Sequence, residues 1–443
     1  MTHPLARPTR RAMLAGLAAV AAGPAHPQAE AGRTLTAAPA PRRLRPDSGA
    51  EAELWSFDGD AAGPVLRVRQ GEEFRLRLVN RTPKPLSLHW HGVRGPNAMD
   101  GAGGLTQEPV APGGSFAYAF TPPEAGTFLI RPCLLGGSAE PAERGLSGLL
   151  IVEEAAPPAI DREVVALVDD WLLAADGALA PFGPTEGNLG RLGNWLTVNG
   201  RPVPEAIRAA PGERVRLRVA NACNARATRL RFDGLRPYVA AIDGQPTDTF
   251  EPLRASVPFP PGTRYDFLLD LPAEAGATGS VMATIGEGVP LIAFAVEGDP
   301  RPARPAIAPL PPNRTLPAAI RLQNALRKDV VLRAGPAPTP WLVNGAAGRP
   351  GAPLLRAKRG QPVVLALKNE TPVMQPVHLH GHVFRLLHPF DDGWEPYWID
   401  TLQVPEARTV RIAFVADNPG KWMIHCHMLE HQETGMAAWF EVA

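Results

Sequence analysis

The chain has 443 residues, 45 Lys and Arg against 44 Asp and Glu, a formal net charge of +1, 51 Pro, 43 Gly and three Cys. So balanced a charge gives no basic surface for nucleic acid and no acidic tail. The length suits about three domains of ordinary size.

The first residues run Thr9-Arg10-Arg11-Ala12-Met13-Leu14, then an apolar stretch to Ala22 and small residues to Ala31. Twin arginines before such a stretch predict a Tat-type export signal over residues 1–31 and a periplasmic mature protein. The stretch is far below the ~20 residues a membrane span needs, so no anchor is expected after cleavage.

From about residue 50 the pattern is short alternating strands broken by Gly and Pro, which predicts an all-β chain of sandwiches or barrels. The segment Gly71-Glu72-Glu73-Phe74-Arg75-Leu76-Arg77-Leu78-Val79-Asn80 recurs as Gly212 to Asn221 and, more loosely, as Gly360 to Asn369, with nine residues from Gly to Asn each time. Upstream of each copy stands a turn sequence: Phe57-Asp58-Gly59, Val198-Asn199-Gly200 and Val343-Asn344-Gly345. Self-similarity at this scale predicts three consecutive related β-sandwich domains at 32–156, 157–300 and 318–443, with a stiff Pro-rich linker at 301–317. The arginines at 75, 77, 214, 216 and 218 alternate with apolar residues and read as a solvated sheet face.

The repeat also marks candidate metal ligands. Nine and eleven residues past Asn80 stand His89 and His91, and the same steps past Asn369 reach His378 and His380; each pair is followed by Gly. In the middle copy the positions are Leu230 and Phe232, and no histidine lies between His91 and His378. Histidines so concentrated read as ligands. His382 and His388 lie beyond the pairs and read as supporting or surface residues.

Near the C-terminus comes His425-Cys426-His427-Met428-Leu429-Glu430-His431, then Met436. Cys426, His431 and Met436, at steps of five, supply the thiolate, imidazole and weak axial thioether of a blue-copper site. On an extended chain His425 and His427 point away from Cys426 and face metal on the other side. Cysteines in an oxidising compartment tend to pair, but Cys133 and Cys223 occupy different settings in the repeat, which argues against a bridge. Trp90, Trp394, Trp398 and Trp422 read as core. Asp400 and Glu406 are candidates for the mouth of the blue site.

His89-Trp90-His91-Gly92, His378-Leu379-His380-Gly381-His382 and Asp417-Asn418-Pro419-Gly420 through Met436 together resemble the three-domain, laccase-like multicopper oxidases. The resemblance implies three cupredoxin-like Greek-key domains, a blue copper in the third, and a trinuclear cluster between first and third. It implies His89 and His378 on the cluster's lone copper, and His91 with His427 and His380 with His425 on its coupled pair. Cys426, His431 and Met436 would hold the blue copper. Electrons from a small reductant, phenol-like or a metal ion, would pass through Cys426, His425 and His427 to dioxygen.

Three positions depart from the family pattern. Gln375 stands in Gln375-Pro376-Val377-His378 where the family has a blue-site histidine. Counting from Gly126 as His425 and His427 are counted from Gly420, Arg131 and Cys133 fall where the family has a further His-x-His. A guanidinium cannot ligate, whereas a thiolate can. These departures predict fewer than the family's four coppers and impaired or altered turnover in a monomer. The competing reading is a periplasmic copper-binding or scaffold protein that keeps the fold without efficient turnover.

Overall fold

The computed structural model describes residues 32–60, 63–183, 190–336, 340–348 and 351–443, so Arg10, Arg11 and the apolar stretch after them lie outside the described residues. Among these, strands form six sheets in three consecutive pairs: four strands with four, seven with five, and five with five. The chain is thus three consecutive β-sandwiches, with only two short α-helices, Ala139–Glu143 and Leu429–Glu433, among the described residues.

The threefold repeat has a physical basis in two side-chain devices. Asp58, Asn199 and Asn344 have φ of 53, 51 and 50°, each followed by a glycine also at positive φ. Two such residues in succession make the tight turn that joins twisted strands, and Asn, Asp and Gly tolerate it best. Their side-chain oxygens accept from the N–H of Thr36, Leu167 and Val331 at 2.8, 2.9 and 2.7 Å. The second device ends each repeat strand. Asn80 Nδ2 donates to the carbonyls of Lys84 and Val110, Asn221 to those of Arg226 and Phe259, and Asn369 to those of Val373 and Val404. Each repeat strand also pairs in parallel with the strand that opens its unit: Arg33–Pro39 with Phe74–Asn80, Arg162–Trp171 with Arg214–Asn221, and Leu326–Ala334 with Gln361–Glu370.

Apolar residues on alternate positions fill the sandwiches. One cluster around Trp90, Phe74, Tyr118 and Phe128 fills the first, and a second runs continuously through the other two. Leu230 and Phe232 sit in that second core. Trp90, Trp398 and Trp422 are buried and Trp394 packs on a smaller cluster beside Trp398. Cys133, Cys223 and Cys426 are buried free thiols. The Pro-rich stretch does not stand free: Ile307 and Leu310 pack against Ala240, Ala241 and Leu268, and Arg214 donates to the Pro305 carbonyl at 2.8 Å.

The reading of the alternating arginines as one solvated face holds for Arg75 and Arg77 but fails for the middle unit. Arg214, Arg216 and Arg218 are all buried. Arg214 pairs with Asp270 of its own sandwich, while Arg216 and Arg218 lie on the face that meets the first sandwich. Arg216 donates to Glu154 (2.6 Å) and Asp266, while Arg218 donates to Glu163 (2.6 Å), Asp266 (2.7 Å) and Thr127 Oγ1 (2.9 Å). Burial alone would push the Asp266 carboxyl up, but these two guanidiniums hold it below the ordinary carboxylate range. Periodicity reports which residues share a face; it does not report what covers that face.

Breaking a buried, fully satisfied charge network leaves an unpaired charge and costs about 3–5 kcal/mol, whereas an exposed ion pair contributes about 0–1 kcal/mol. Arg218→Ala is therefore expected to lower unfolding free energy by about 3 kcal/mol and Arg75→Ala by under about 0.5 kcal/mol. Parallel urea titrations compare them. Equal losses would show that the interface network contributes no more than a surface pair.

Candidate metal centre

The site grows from strand alternation and register. In the third sandwich Gln375–Leu379 lies antiparallel to Gly420–Cys426, with Val377 opposite Cys426 and His378 opposite His425. Residues opposite one another share a face and neighbours alternate. Gln375 and Cys426 therefore point into the sandwich, and His378 and His425 point out, toward the first unit. In the first sandwich Leu88–His91 pairs with Gly126–Pro132, and His89 lies opposite Arg131. The two histidine-bearing faces meet, and His89 Nε2 lies 3.2 Å from His378 Nε2 although 289 residues separate them.

On the inward face Cys426 Sγ is 3.0 Å from Gln375 Oε1 and 3.7 Å from His431 Nδ1, and His431 Nδ1 is 3.0 Å from the same Gln375 oxygen. Gln375 Nε2 donates to Thr371 Oγ1 at 3.1 Å, which aims its carbonyl oxygen at the sulfur. Met436 is buried, its carbonyl accepts from Cys426 N at 2.9 Å, and the Trp341 ring lies 4.2 Å from the His431 ring, centroid to centroid.

On the outward face the six histidines 89, 91, 378, 380, 425 and 427 form one buried cluster. His89 stacks on His380 with centroids 3.7 Å apart and His91 on His378 at 3.6 Å. His427 lies 4.9 Å from His91, and His425 lies 5.1 Å from His380. Ligand atoms of His89, His91 and His378 lie within 4.8 Å of one another, as do those of Cys133, His380 and His425.

Known proteins resemble this chain in sequence and fold. Models of the family described as "Multicopper oxidase" match residues 40–157 and 314–443. The chain is 30% identical over 450 residues to the multicopper oxidase MmcO of Mycobacterium tuberculosis, covering 92% of this chain and 86% of that protein. It is 27% identical to Laccase-1 of Fomitopsis schrenkii, over 86% of this chain and 81% of that one. The crystal structure of a multi-copper oxidase from Pseudomonas thermotolerans superposes with a TM-score of 0.83 at 32% identity, covering 93% of this chain and 100% of the other. The chain belongs to the multicopper oxidase family.

It is thus an oxidoreductase that uses oxygen, with copper as its cofactor, and its hydrogen bonds test whether copper fits. A backbone carbonyl can only accept, so a ring nitrogen bonded to one must carry the proton, leaving the other nitrogen a bare lone pair. His89 Nδ1 donates to the Asp100 carbonyl (2.8 Å), His378 Nδ1 to the Asp400 carbonyl (3.0 Å) and His425 Nδ1 to the Cys426 carbonyl (2.7 Å). His380 Nδ1 donates to the Asp100 carboxylate at 2.9 Å. All four Nε2 atoms are thereby left as acceptors. Two of them, on His89 and His378, face each other, and those of His380 and His425 have no hydrogen-bond partner among the described residues. Four lone pairs turned inward in a buried cluster suit a cation.

The other half of the cluster differs. Arg131 Nη1 lies 3.5 Å from His427 Nδ1 and offers it an N–H. Like charges about 4 Å apart repel by roughly 4 kcal/mol per unit charge at an effective dielectric near 20, so a metal cation beside Arg131 is opposed. Burial pushes the Cys133 thiol up, and Gln432 Nε2 lies 3.8 Å from its sulfur.

Several residues of the site were missed in the sequence. Asp100 holds His89 and His380; its nearest signal was the following Gly101, at φ +84°, where a Cβ would lie 1.7 Å from the Leu88 carbonyl oxygen. Asp400 is not at the mouth of the blue site. It accepts from His91 Nε2 (3.1 Å) and from both Nη atoms of Arg264 (2.9 and 2.6 Å), and Thr401 Oγ1 reaches the same His91 nitrogen at 2.9 Å. Glycine at 92 permits this, since a Cβ there would lie 2.2 Å from Arg264 Nη2. Asp243, pushed up to about 7 by burial and the Asp400 carboxylate, accepts from the Thr401 N–H at 3.4 Å and lines a cleft of about 760 Å³ between the second and third sandwiches. His382 is buried among Phe414, Trp422 and Phe440, its Nδ1 3.2 Å from the His380 carbonyl. Glu406 is exposed.

Burial lowers His378 to about 4, His380 to about 3 and His382 to about 4, and also lowers His91, His425 and His427, the last helped by the Arg131 guanidinium. The unfolded chain protonates each near 6.5. Between about 4 and 6.5 it therefore binds more protons than the native state, and stability falls as pH falls through that window. Glu143, Asp169, Glu205, Asp243 and Glu433, whose proton affinities are raised, act oppositely but are outnumbered by the six histidines. Each tenfold loss of proton affinity on folding is worth about 1.4 kcal/mol. The metal-free protein should therefore be less stable at pH 4 than at pH 7. Denaturant melts across the range check this; a flat profile would contradict it.

Proposed function

We propose that this oxidase takes electrons from a small reductant, phenol-like or a metal ion, at a blue-type copper held by Cys426 and His431 with Met436 axial. Gln375 Oε1 is offered in place of the second imidazole. The carrying observation is the strand His425-Cys426-His427, whose alternation turns the Cys426 sulfur toward Gln375 and His431 while its neighbours join the histidine cluster. Bound copper would supply one-electron transfer at Cys426 and the reduction of dioxygen to water at the histidine cluster. The protein's own part is to hold unprotonated imidazole nitrogens inward: Asp100, Asp400 and three backbone carbonyls take the opposite ring protons. Buried rings with depressed proton affinity keep those lone pairs free at neutral pH. His89 and His378 would hold one copper and His380 with His425 another, while His91 and His427 line the half where Arg131 stands. The name of the fungal laccase relative supports the phenol class. Arg131 and Gln375 support slow turnover, or a copper-binding role without efficient turnover.

We further place the protein, as a monomer without a membrane anchor, in the periplasm after Tat export. No helix among the described residues is long and apolar enough to cross a membrane. Changing Arg10 and Arg11 together to Lys should leave precursor in the cytoplasm by fractionation; normal periplasmic accumulation would contradict Tat routing.

Adding Cu(II) to the purified protein should give a visible thiolate-to-copper charge-transfer band that Cys426→Ser abolishes. Gln375→His, which restores an equatorial imidazole, should shift the band and tighten copper at that site by at least about tenfold. Identical spectra for wild type and Cys426→Ser would sink the assignment.

A further inference from the structure

The histidine cluster has two unlike halves, and their difference points to a site of another kind. One half holds Cys133, His380 and His425, all buried, with one ligand atom from each within 4.8 Å of the others. The Nδ1 protons of both rings are spent, on the Asp100 carboxylate and the Cys426 carbonyl, so the free atoms are Nε2. Neither Nε2 has a hydrogen-bond partner among the described residues. Around the sulfur lie Ala102, Met423 and the amide of Gln432, whose Nε2 is 3.8 Å from both Cys133 Sγ and Met423 Sδ. The other half holds His91 and His427 with the Arg131 guanidinium between the first sandwich and His427 Nδ1. A permanent cation already stands there and needs no metal.

We propose that Cys133, His380 and His425 form a closed mononuclear site for a single Cu(I), and that Arg131 takes the place of the second ion. The donor set is one soft sulfur and two imidazoles, which favours cuprous copper over harder ions. On binding, the Cys133 proton leaves to solvent and the metal takes the sulfur. The monovalent ion replaces that proton charge for charge, so binding leaves the charge balance of a dry interior, which penalises an uncompensated charge, as it was. The inference rests on the copper reading above, but it concerns ligands that the blue site does not share.

The test therefore uses full-length Cys426→Ser protein, in which the blue-site thiolate is gone. Titrated anaerobically with Cu(I) against a chromophoric Cu(I) chelator, it should show a near-ultraviolet thiolate-to-Cu(I) band saturating at one equivalent. In Cys133→Ser/Cys426→Ser the band should vanish and the tightest copper should bind at least about tenfold more weakly. If that double variant fails to fold by circular dichroism, Cys133→His/Cys426→Ser serves instead and should bind copper without the band. Arg131→His should raise copper per chain by one. The proposal is overturned if the band survives loss of Cys133, if Zn(II) outcompetes Cu(I) at the site, or if wild type already holds an exchange-coupled Cu(II) pair, silent in electron paramagnetic resonance. A missing blue band in wild type would count against the blue site alone, because none of these measurements depends on Cys426.

Discussion

Strand alternation at one register is the constraint on which the rest depends. With His378 opposite His425 and Val377 opposite Cys426, a single pair of strands serves two places at once. Its odd partners at 375 and 377 join Cys426 inside the third sandwich, and 378 and 425 face the first. A slip of one residue would turn Cys426 to the outside and the histidines into the apolar core. The same strand carries Trp422, Met423 and Ile424, all buried, and is closed by Ala437–Val442 on its other edge, which holds it in register. The separation between sulfur and histidine cluster is set by backbone geometry, not by loops.

That register would be useless if the first and third sandwiches were free to shift. The middle unit contributes no histidine, yet it fixes the other two. Its buried arginines bind Thr127, Glu154 and Asp266, and its Arg264 grips Asp400 beneath His91. Arg264 also donates to the Thr127 carbonyl at 3.2 Å, so a single side chain touches the first, second and third units. Bidentate guanidinium–carboxylate pairs suit this task because they fix angle as well as distance. The apolar Leu230 and Phe232, standing where the other repeats carry His, fill a core instead of a metal site.

Much of this was legible because it follows from local rules. The turn residues Asp58, Asn199 and Asn344 and the strand-ending Asn80, Asn221 and Asn369 recur at fixed steps, and each recurrence is a hydrogen-bond device that works within a few residues. The same steps bring His89 beside His378. What was illegible depends on what meets across sandwiches. Nothing in the alternation of Arg214, Arg216 and Arg218 differs from that of Arg75 and Arg77; only the docking of the first unit buries one set and leaves the other in water. Asp100 and Asp400 were obscure for the same reason. A lone acidic residue in a loop carries no period, and its partners lie 280 and 309 residues away.

The placement of these charges divides the cluster. Asp100 stands behind His89 and His380. Burial alone would push its carboxyl up, but the two imidazoles it serves hold it far below the ordinary range, so it remains an anion. Asp400, also an anion, is already matched by Arg264. On the far side Arg131 is a buried cation; burial raises the proton affinity of Glu143 and Asp169, the carboxyls that attract it, and Glu143 already lies 3.4 Å from the Arg191 guanidinium. One half of the cluster is therefore backed by an unspent negative charge and the other by an unspent positive one. In a low-dielectric interior such a difference outweighs modest differences in ligand count. It makes the face with Asp100, His380, His425 and Cys133 the one that draws a cation, whereas His427 has its lone pair occupied by a guanidinium.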